Sequence, residues 1–449
     1  MKLHDLSMNN QTLRVEREQL FDEGRDLNDL VDREFDALVG ANLEEDPSMQ
    51  TRIQALLDTA GALPQREDYP YVEPSALEEI QAARPDPRAP RAFDRALGDE
   101  EWFDHIYGAW LGRSAGCLLG KPIEGWRSGI LWPYLKALGA YPLHDYLRSD
   151  APEEIVEKFH IDRNRAYVDR VSHMVEDDDM NYTVTGLAVM DRCGASFSPI
   201  DVGMFWLEHL PLLHTFTAER VAYRNLTNLV PPPTSASYRN PYREWIGAQI
   251  RADFWGYAAL GQPALAAEFA WRDASVSHVK NGIYGEMWVA AMLAAAPFCA
   301  SPRAVIEAGL REIPEQSRLT ENIRMVMGWY DTGMDWEAAI GEIHQRWDEA
   351  LPHHWCHTLS NAQIVALGLL WGEGDYEASI CRAVQACFDT DCNGATVGSI
   401  IGMMHGAKAL PEKWIGPLND RLETGVAGYY NVKISDMAKK TIEIARRTA

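Results

Sequence analysis

The chain has 449 residues, enough for one large domain or two smaller ones. With 46% hydrophobic residues it can bury a sizeable core, and 42 basic against 66 acidic residues leave a net charge of −24. That balance excludes a broad nucleic-acid surface, because phosphate attraction needs clustered Lys and Arg. It leaves room for a phosphate-bearing small molecule in a local pocket. Seven cysteines, an odd count without CxxC spacing, read as reduced thiols. No apolar run approaches the ~18 residues of a membrane span. The start, MKLHDLSMNNQ, lacks the basic and apolar regions of a secretory signal. A cytoplasmic protein with no membrane partner is expected.

Helical periodicity dominates the chain. Residues 1–60 space Leu20, Leu27, Leu30, Val31, Phe35 and Leu38 as amphipathic helices do. Residues 61–95 are rich in proline and charge, including ARPDPRAPRAFD. The span 1–95 reads as an N-terminal helical extension with a scaffold role, packed on a main unit of 96–449. That unit starts in earnest near Trp102 with a glycine ladder: Gly108, Gly112, Gly116 and Gly120, followed by Pro122 and Glu124. Each glycine costs roughly 1 kcal/mol against alanine in a helix interior. Four in one ladder need compensation, and close backbone approach is the usual one.

An acidic run, Glu176-Asp177-Asp178-Asp179, leads into the helix-like Asn181–Met190. Residues 211–245, with Pro231-Pro232-Pro233 and Asn240-Pro241, read as a loop-rich insertion. Within it, Tyr223, Arg224 and Asn225 are candidates to face a pocket. Gln249, Arg251 and Asp253 read as a buried polar network, since a buried arginine needs an acidic partner. Alanine-rich helical stretches follow at 258–274 and 287–297. His353, His354 and His357 form the densest histidine group, but no acidic third ligand adjoins them. Capping or loop roles are therefore expected for them. Asp389 and Asp391 then precede a second ladder, Gly394, Gly398, Gly402 and Gly406. No strand alternation and no short repeat is evident. The expectation is an all-α, compact multi-helix fold whose two ladders cross at about −50° with glycine faces in contact.

One aspartate before a helix is usually just its N-cap. Four consecutive acids exceed what a cap needs, and a second cluster beside a ladder reinforces the point. If both clusters meet, Asp177, Asp178, Asp179, Asp389 and Asp391 form an oxygen-rich set that selects Mg²⁺ or Mn²⁺, with Ca²⁺ less suited. About four to six carboxylates suit two ions roughly 3.5–4 Å apart.

These motifs resemble the ADP-ribosylglycohydrolase family, which includes the dinitrogenase reductase-activating glycohydrolases. GAWLGRSAGCLLGKPIEG is similar to the family's first helix and its glycine-rich loop bearing a functional glutamate, which places Glu124 in a catalytic role. EDDDMNYT resembles the Thr-Asp-Asp-Thr metal motif, and DTDCNGATVGSIIGMMHGA resembles the Asp-x-Asp-Thr motif with its helix. The motif order matches over roughly 102–420. The resemblance implies an all-helical glycohydrolase with two Mg²⁺ or Mn²⁺ ions. It would hydrolyse the bond at the anomeric ribose carbon of an ADP-ribosyl group. By the same resemblance, Asp178 and Asp389 join Glu124 as catalytic candidates. Gly120, Asn181 and His278 become substrate-binding candidates, His278 following Ser277 where members often carry Thr-His.

There are departures. Cys117 stands where many members have Asp. Cys392 stands at the metal-binding Thr and takes that ligand position by correspondence. Thiol is a poor Mg²⁺ ligand, which leaves Thr390, Asn393 or water to complete the shell. The first motif has two registers, Asp177-Asp178 or Asp178-Asp179; the second puts Tyr182 and Val184 on apolar helix positions. Two alternatives stay open: a hydrolase of a nucleoside or ribosylated small metabolite, and a non-catalytic binding protein on the same fold.

Overall fold

Two bare helices lie side by side at the centre of the molecule. In this computed structural model, which describes residues 5–6, 8–41, 47–86, 93 and 97–448, the helices Asp99–Gly120 and Thr390–His405 run antiparallel. Gly108 meets Gly402, Gly112 meets Gly398, and Gly116 meets Gly394, backbone against backbone. A Cβ on Gly116 would sit 2.0 Å from the Gly394 carbonyl oxygen. With Gly120 against Thr390 the backbones stay in contact over about 18 Å of helix. A −50° crossing would part the axes after roughly two turns, so the packing is alongside rather than steeply crossed. The ladders also end differently from their spacing. Gly120 meets Thr390, and Gly406, at φ +81, terminates the second helix.

Among the described residues the chain forms 23 α-helices and a single two-stranded antiparallel sheet. The all-α expectation holds. The strands Arg421–Glu423 and Asn431–Lys433 pair with Leu422 opposite Val432, and three residues each are too few to show alternation in sequence. The helix Lys280–Ala295 is buried on all sides and packs into one continuous core with Thr358–Gly372 and the glycine pair. No helix among the described residues is long and apolar enough to cross a membrane.

The N-terminal helices Asn10–Asp22, Asp29–Val39 and Pro47–Gly61 enclose a small core of Leu13, Leu20, Phe35, Leu38, Ile53 and Leu57. Val15 and Ile80 join the main core instead. Buried ion pairs complete the docking. Arg243 donates to Glu16 at 2.7 Å and to Glu23 at 2.6 Å. Arg318 pairs with both Glu73 and Glu244 at 2.8 Å. Most of the proline-rich ARPDPRAPRAFD stretch lies outside the described residues. The segment 211–245 is less loop-rich than its prolines suggest, since it contains the helix Thr217–Thr227 and the short turn of helix Thr234–Ser237.

Candidate active site and metal centre

The glycine pairing places the two acidic clusters together. The helix Asp99–Gly120 ends in a 3₁₀ turn, Lys121–Ile123, and Glu124 follows it in extended backbone. Arg165 fixes this turn by donating to the carbonyls of Pro122 and Glu124. Lys121 Nζ donates to Asp177 Oδ2 at 2.6 Å, tying the turn to the first acidic run. Asp177 is the N-cap of the helix Asp178–Cys193, accepting from the Asp179 N–H at 2.9 Å. Tyr182 and Val184 are buried along that helix. The two-stranded sheet pins the segment before it, for Met174 exchanges backbone hydrogen bonds with Arg421 and Glu423. On the other side, Cys387 and Phe388 take positive φ values of 68° and 58° immediately before Asp389. Such a bulky pair is strained there, and strain of this kind concentrates at functional sites.

Glu124, Asp177, Asp178, Asp389, Asp391 and Cys392 all line one cavity of about 560 Å³. Three separate chain segments thus deliver carboxylates to one space. Burial, then the neighbouring acids Asp177 and Asp179, pushes the Asp178 carboxyl well above the usual carboxylate range. Burial and Glu124 push Asp389 up to about 7 and raise Asp391 strongly. Glu124 is reachable from solvent through the cavity mouth, yet crowding by protein and the Asp177 charge raise it as well. So many unbalanced carboxylates are costly to keep together without a cation.

The residues fit a divalent cation. One ligand atom from each of Cys117, Asp177, Asp179 and Asp391 lies within 4.8 Å of the others, and the same holds for Asp389, Asp391 and Cys392. Asp391 belongs to both groups. Its Oδ1, and Asp179 Oδ2, are buried with no hydrogen-bond partner. Asp179 does not line the cavity; it sits beneath it, with Oδ1 held by Arg113 at 2.9 Å. Arg113 in turn pairs with Asp253 at 2.7 Å. Of the oxygen substitutes considered for the shell, Thr390 is otherwise placed, while Asn393 Oδ1 is buried without a hydrogen-bond partner. Thr390 Oγ1 donates to the Gly120 carbonyl at 2.9 Å, and Asn393 Nδ2 donates to Asn361 Oδ1.

The three substrate-binding candidates do not line the cavity. Gly120 is a packing position, where a Cβ would lie 2.3 Å from the Thr390 carbonyl. Asn181 is buried and supportive: it donates to Glu176 Oε1 at 2.6 Å and accepts from the Gly425 N–H. His278 is buried beside Ser277 and close to Glu219, in the Arg251 network. Arg251 binds Asp273 and Glu219, as a buried guanidinium must. Asn225 and Arg224 lie on the helix Thr217–Thr227, where Arg224 donates to Asn225 and Asn225 to the Ser235 carbonyl, and both stay off the cavity.

Sequence reasoning missed two contributions. The first is the extension: Asp5, Asn9 and Gln11 line the same cavity. Asp5 is anchored there by the Thr217 N–H at 3.0 Å. Nothing local marks these residues, because the contact spans more than 200 positions. The second is the acidic neighbour of the histidine group. His353 Nε2 meets Asp22 at 3.1 Å, across 331 residues. Ligand atoms of Asp22, His353 and His357 lie within 4.8 Å of one another, but the ring tautomers oppose metal binding there. Trp245 Nε1–H donates to His353 Nδ1, and the Leu359 N–H donates to His357 Nδ1. Both neutral rings therefore carry their proton on Nε2, the atom that would have to bind. His357 caps the helix Thr358–Gly372, the capping role expected of this group, while His353 ties Asp22 of the extension to the main unit.

A family model described as ADP-ribosylglycohydrolase matches residues 98–445. The chain belongs to the ADP-ribosylglycohydrolase family. Members act on ADP-ribosylated substrates and are generally metal-dependent. No curated protein matches the chain. A solved structure described as an ADP-ribosylglycohydrolase-related protein complex is 17% identical, over 78% of this chain and 100% of that one, with a TM-score of 0.47.

Proposed function

We propose that the 98–445 region is a metal-dependent glycohydrolase that cleaves the bond at the anomeric ribose carbon of an ADP-ribosyl substrate. The observation that carries this reading is the convergence of Glu124, Asp177, Asp178, Asp389 and Asp391 on one cavity of about 560 Å³. Asp177, Asp178, Asp389 and Asp391 would hold divalent cations, with Asp179 supporting from below; Mg²⁺ and Mn²⁺ suit these oxygens. When bound, such ions hold sugar hydroxyls and make water more acidic. Glu124 is the general base. Its turn is fixed by Arg165, it faces the cavity beside the other acids, and burial with the Asp177 charge raises its affinity for a proton, the direction a general base needs. Phe216, Tyr242, Trp245 and Trp355 offer aromatic faces for a base.

One observation favours a second reading, a ribosylated small metabolite. The cavity is lined by the cations Lys121 and Arg127, and by His214. Lys121 is already paired with Asp177, and His214 lies 2.8 Å from Glu176. Among the described residues, Arg127 has no carboxylate partner; it stacks on Trp355, and its Nη1 makes no hydrogen bond. A single free cation serves a diphosphate poorly. Product analysis separates the readings. Release of ADP-ribose from ADP-ribosylated arginine or serine supports the first, and ribose release from nucleosides alone supports the second. No release from any of them returns the chain to a non-catalytic binding role.

A further inference from the structure

We infer that the metal centre of this chain is built for a thiophilic first-row cation of the zinc class rather than for Mg²⁺, with Cys117 and Cys392 each supplying a sulfur. The inference rests on the metal-dependent reading above and names the kind of ion. Each of the two ligand groups in the site contains one thiol: Cys117 with Asp177, Asp179 and Asp391, and Cys392 with Asp389 and Asp391. The two groups share Asp391, whose Oδ1 is buried without a hydrogen-bond partner. Both thiols are buried as well.

A buried cysteine is ordinarily a small apolar filler. These two lie where the apolar core meets the acidic clusters. Cys117 is within ligand distance of Asp177, Asp179 and Asp391, and Cys392 of Asp389 and Asp391. Apolar packing gives no reason for carboxylates at that distance from a sulfur, whereas a cation that accepts sulfur does. Mg²⁺ binds hard oxygen donors and sheds water reluctantly, whereas Zn²⁺ and its neighbours accept thiolate, imidazole and carboxylate together. On binding, the S–H bond breaks, a sulfur–metal bond forms, and the proton leaves to solvent.

The test uses the full-length, reduced, chelator-treated protein carrying Cys193→Ser and Cys299→Ser, which removes the two thiols that are not buried. Co²⁺ serves as the spectroscopic probe. The expected result is a near-ultraviolet thiolate-to-cobalt charge-transfer band that weakens in Cys392→Ser and again in Cys117→Ser. Calorimetry should show Zn²⁺ binding tighter than Mg²⁺, with the ratio falling by about tenfold or more in Cys392→Thr. If Cys117→Ser fails to fold, Cys392→Ser and Cys392→Thr carry the test alone. Co²⁺ binding without the band, or an unchanged Zn²⁺ to Mg²⁺ ratio in Cys392→Thr, overturns this inference and leaves the metal-dependent reading standing. Absence of binding by Co²⁺, Zn²⁺, Mn²⁺ and Mg²⁺ alike overturns both.

Discussion

Gly398 and Gly112 face each other so closely that a Cβ on either would lie 2.2 Å from the other's carbonyl oxygen. Neither backbone can retreat, because the rungs above and below are equally tight. Gly398→Ala is therefore expected to destabilise by about 1–3 kcal/mol, and Gly398→Leu by more. Gly328 provides the control. It lies in the helix Arg318–Asp331 with open space where a Cβ would go. Gly328→Ala should stabilise by about 0.5–1 kcal/mol. Thermal melts of the three variants check the contrast, and equal melting temperatures would remove the close-packing argument.

The docking of the extension should be pH-sensitive. Burial opposes ionisation of Glu23, but Arg243, Lys280 and Arg25 outweigh it and hold the carboxyl well below the usual carboxylate range. A depressed carboxylate stabilises fully above its unfolded pKa, and that stability is lost as pH falls toward the folded value. Glu16, raised by burial, acts in the opposite sense. Limited proteolysis should thus cut the extension faster below about pH 4 than at neutrality. Glu23→Gln should flatten this dependence. Arg243→Met leaves two buried carboxylates without their guanidinium, and should cost about 3–5 kcal/mol at neutral pH.

Removal of metal should lower stability. Binding to the folded state alone stabilises by roughly 2.7 kcal/mol at a hundredfold excess over Kd. Chelation is therefore expected to lower the melting temperature, and Mn²⁺ to restore it. Asp389→Asn and Asp391→Asn should each weaken Mn²⁺ binding in calorimetry without unfolding the chain. Asp391 belongs to both ligand groups, so its variant should lose more. Equal Mn²⁺ affinity in all three proteins would count against the ligand assignment.

What was legible beforehand followed from local chemistry. Glycine at every fourth position marked a helix face that needed another backbone, and acids at the ladder ends marked a shared site. The family's motif order then pointed to Glu124. What was not legible depended on distance in the chain. Asp5, Asn9 and Gln11 line the cavity through contacts made by Thr217, Arg243 and Arg318 with the extension from more than 200 residues away. Gly120, Asn181 and His278 were drawn toward substrate by neighbouring motif residues, yet each is turned into packing or support. Spacing places a residue near a site, but not on the cavity side of its backbone.

Glu124 carries the last prediction. It sits just past the Lys121–Ile123 turn, not on a rigid helix. If it merely capped a helix, its carboxylate would accept backbone N–H groups. Among the described residues no donor bonds that carboxylate, while Arg165 grips the backbone carbonyl instead. The side chain is thus free to reach a substrate or swing aside, as lid residues do. Glu124→Gln keeps the shape and removes the proton acceptor. It should lower kcat by about 10²–10⁴-fold, while the melting temperature and Mn²⁺ affinity stay near those of the parent. KM should change little, because the loss falls on the transition state rather than on substrate binding. Full turnover by this variant, on whichever ribosyl substrate the parent accepts, would overturn the general-base assignment.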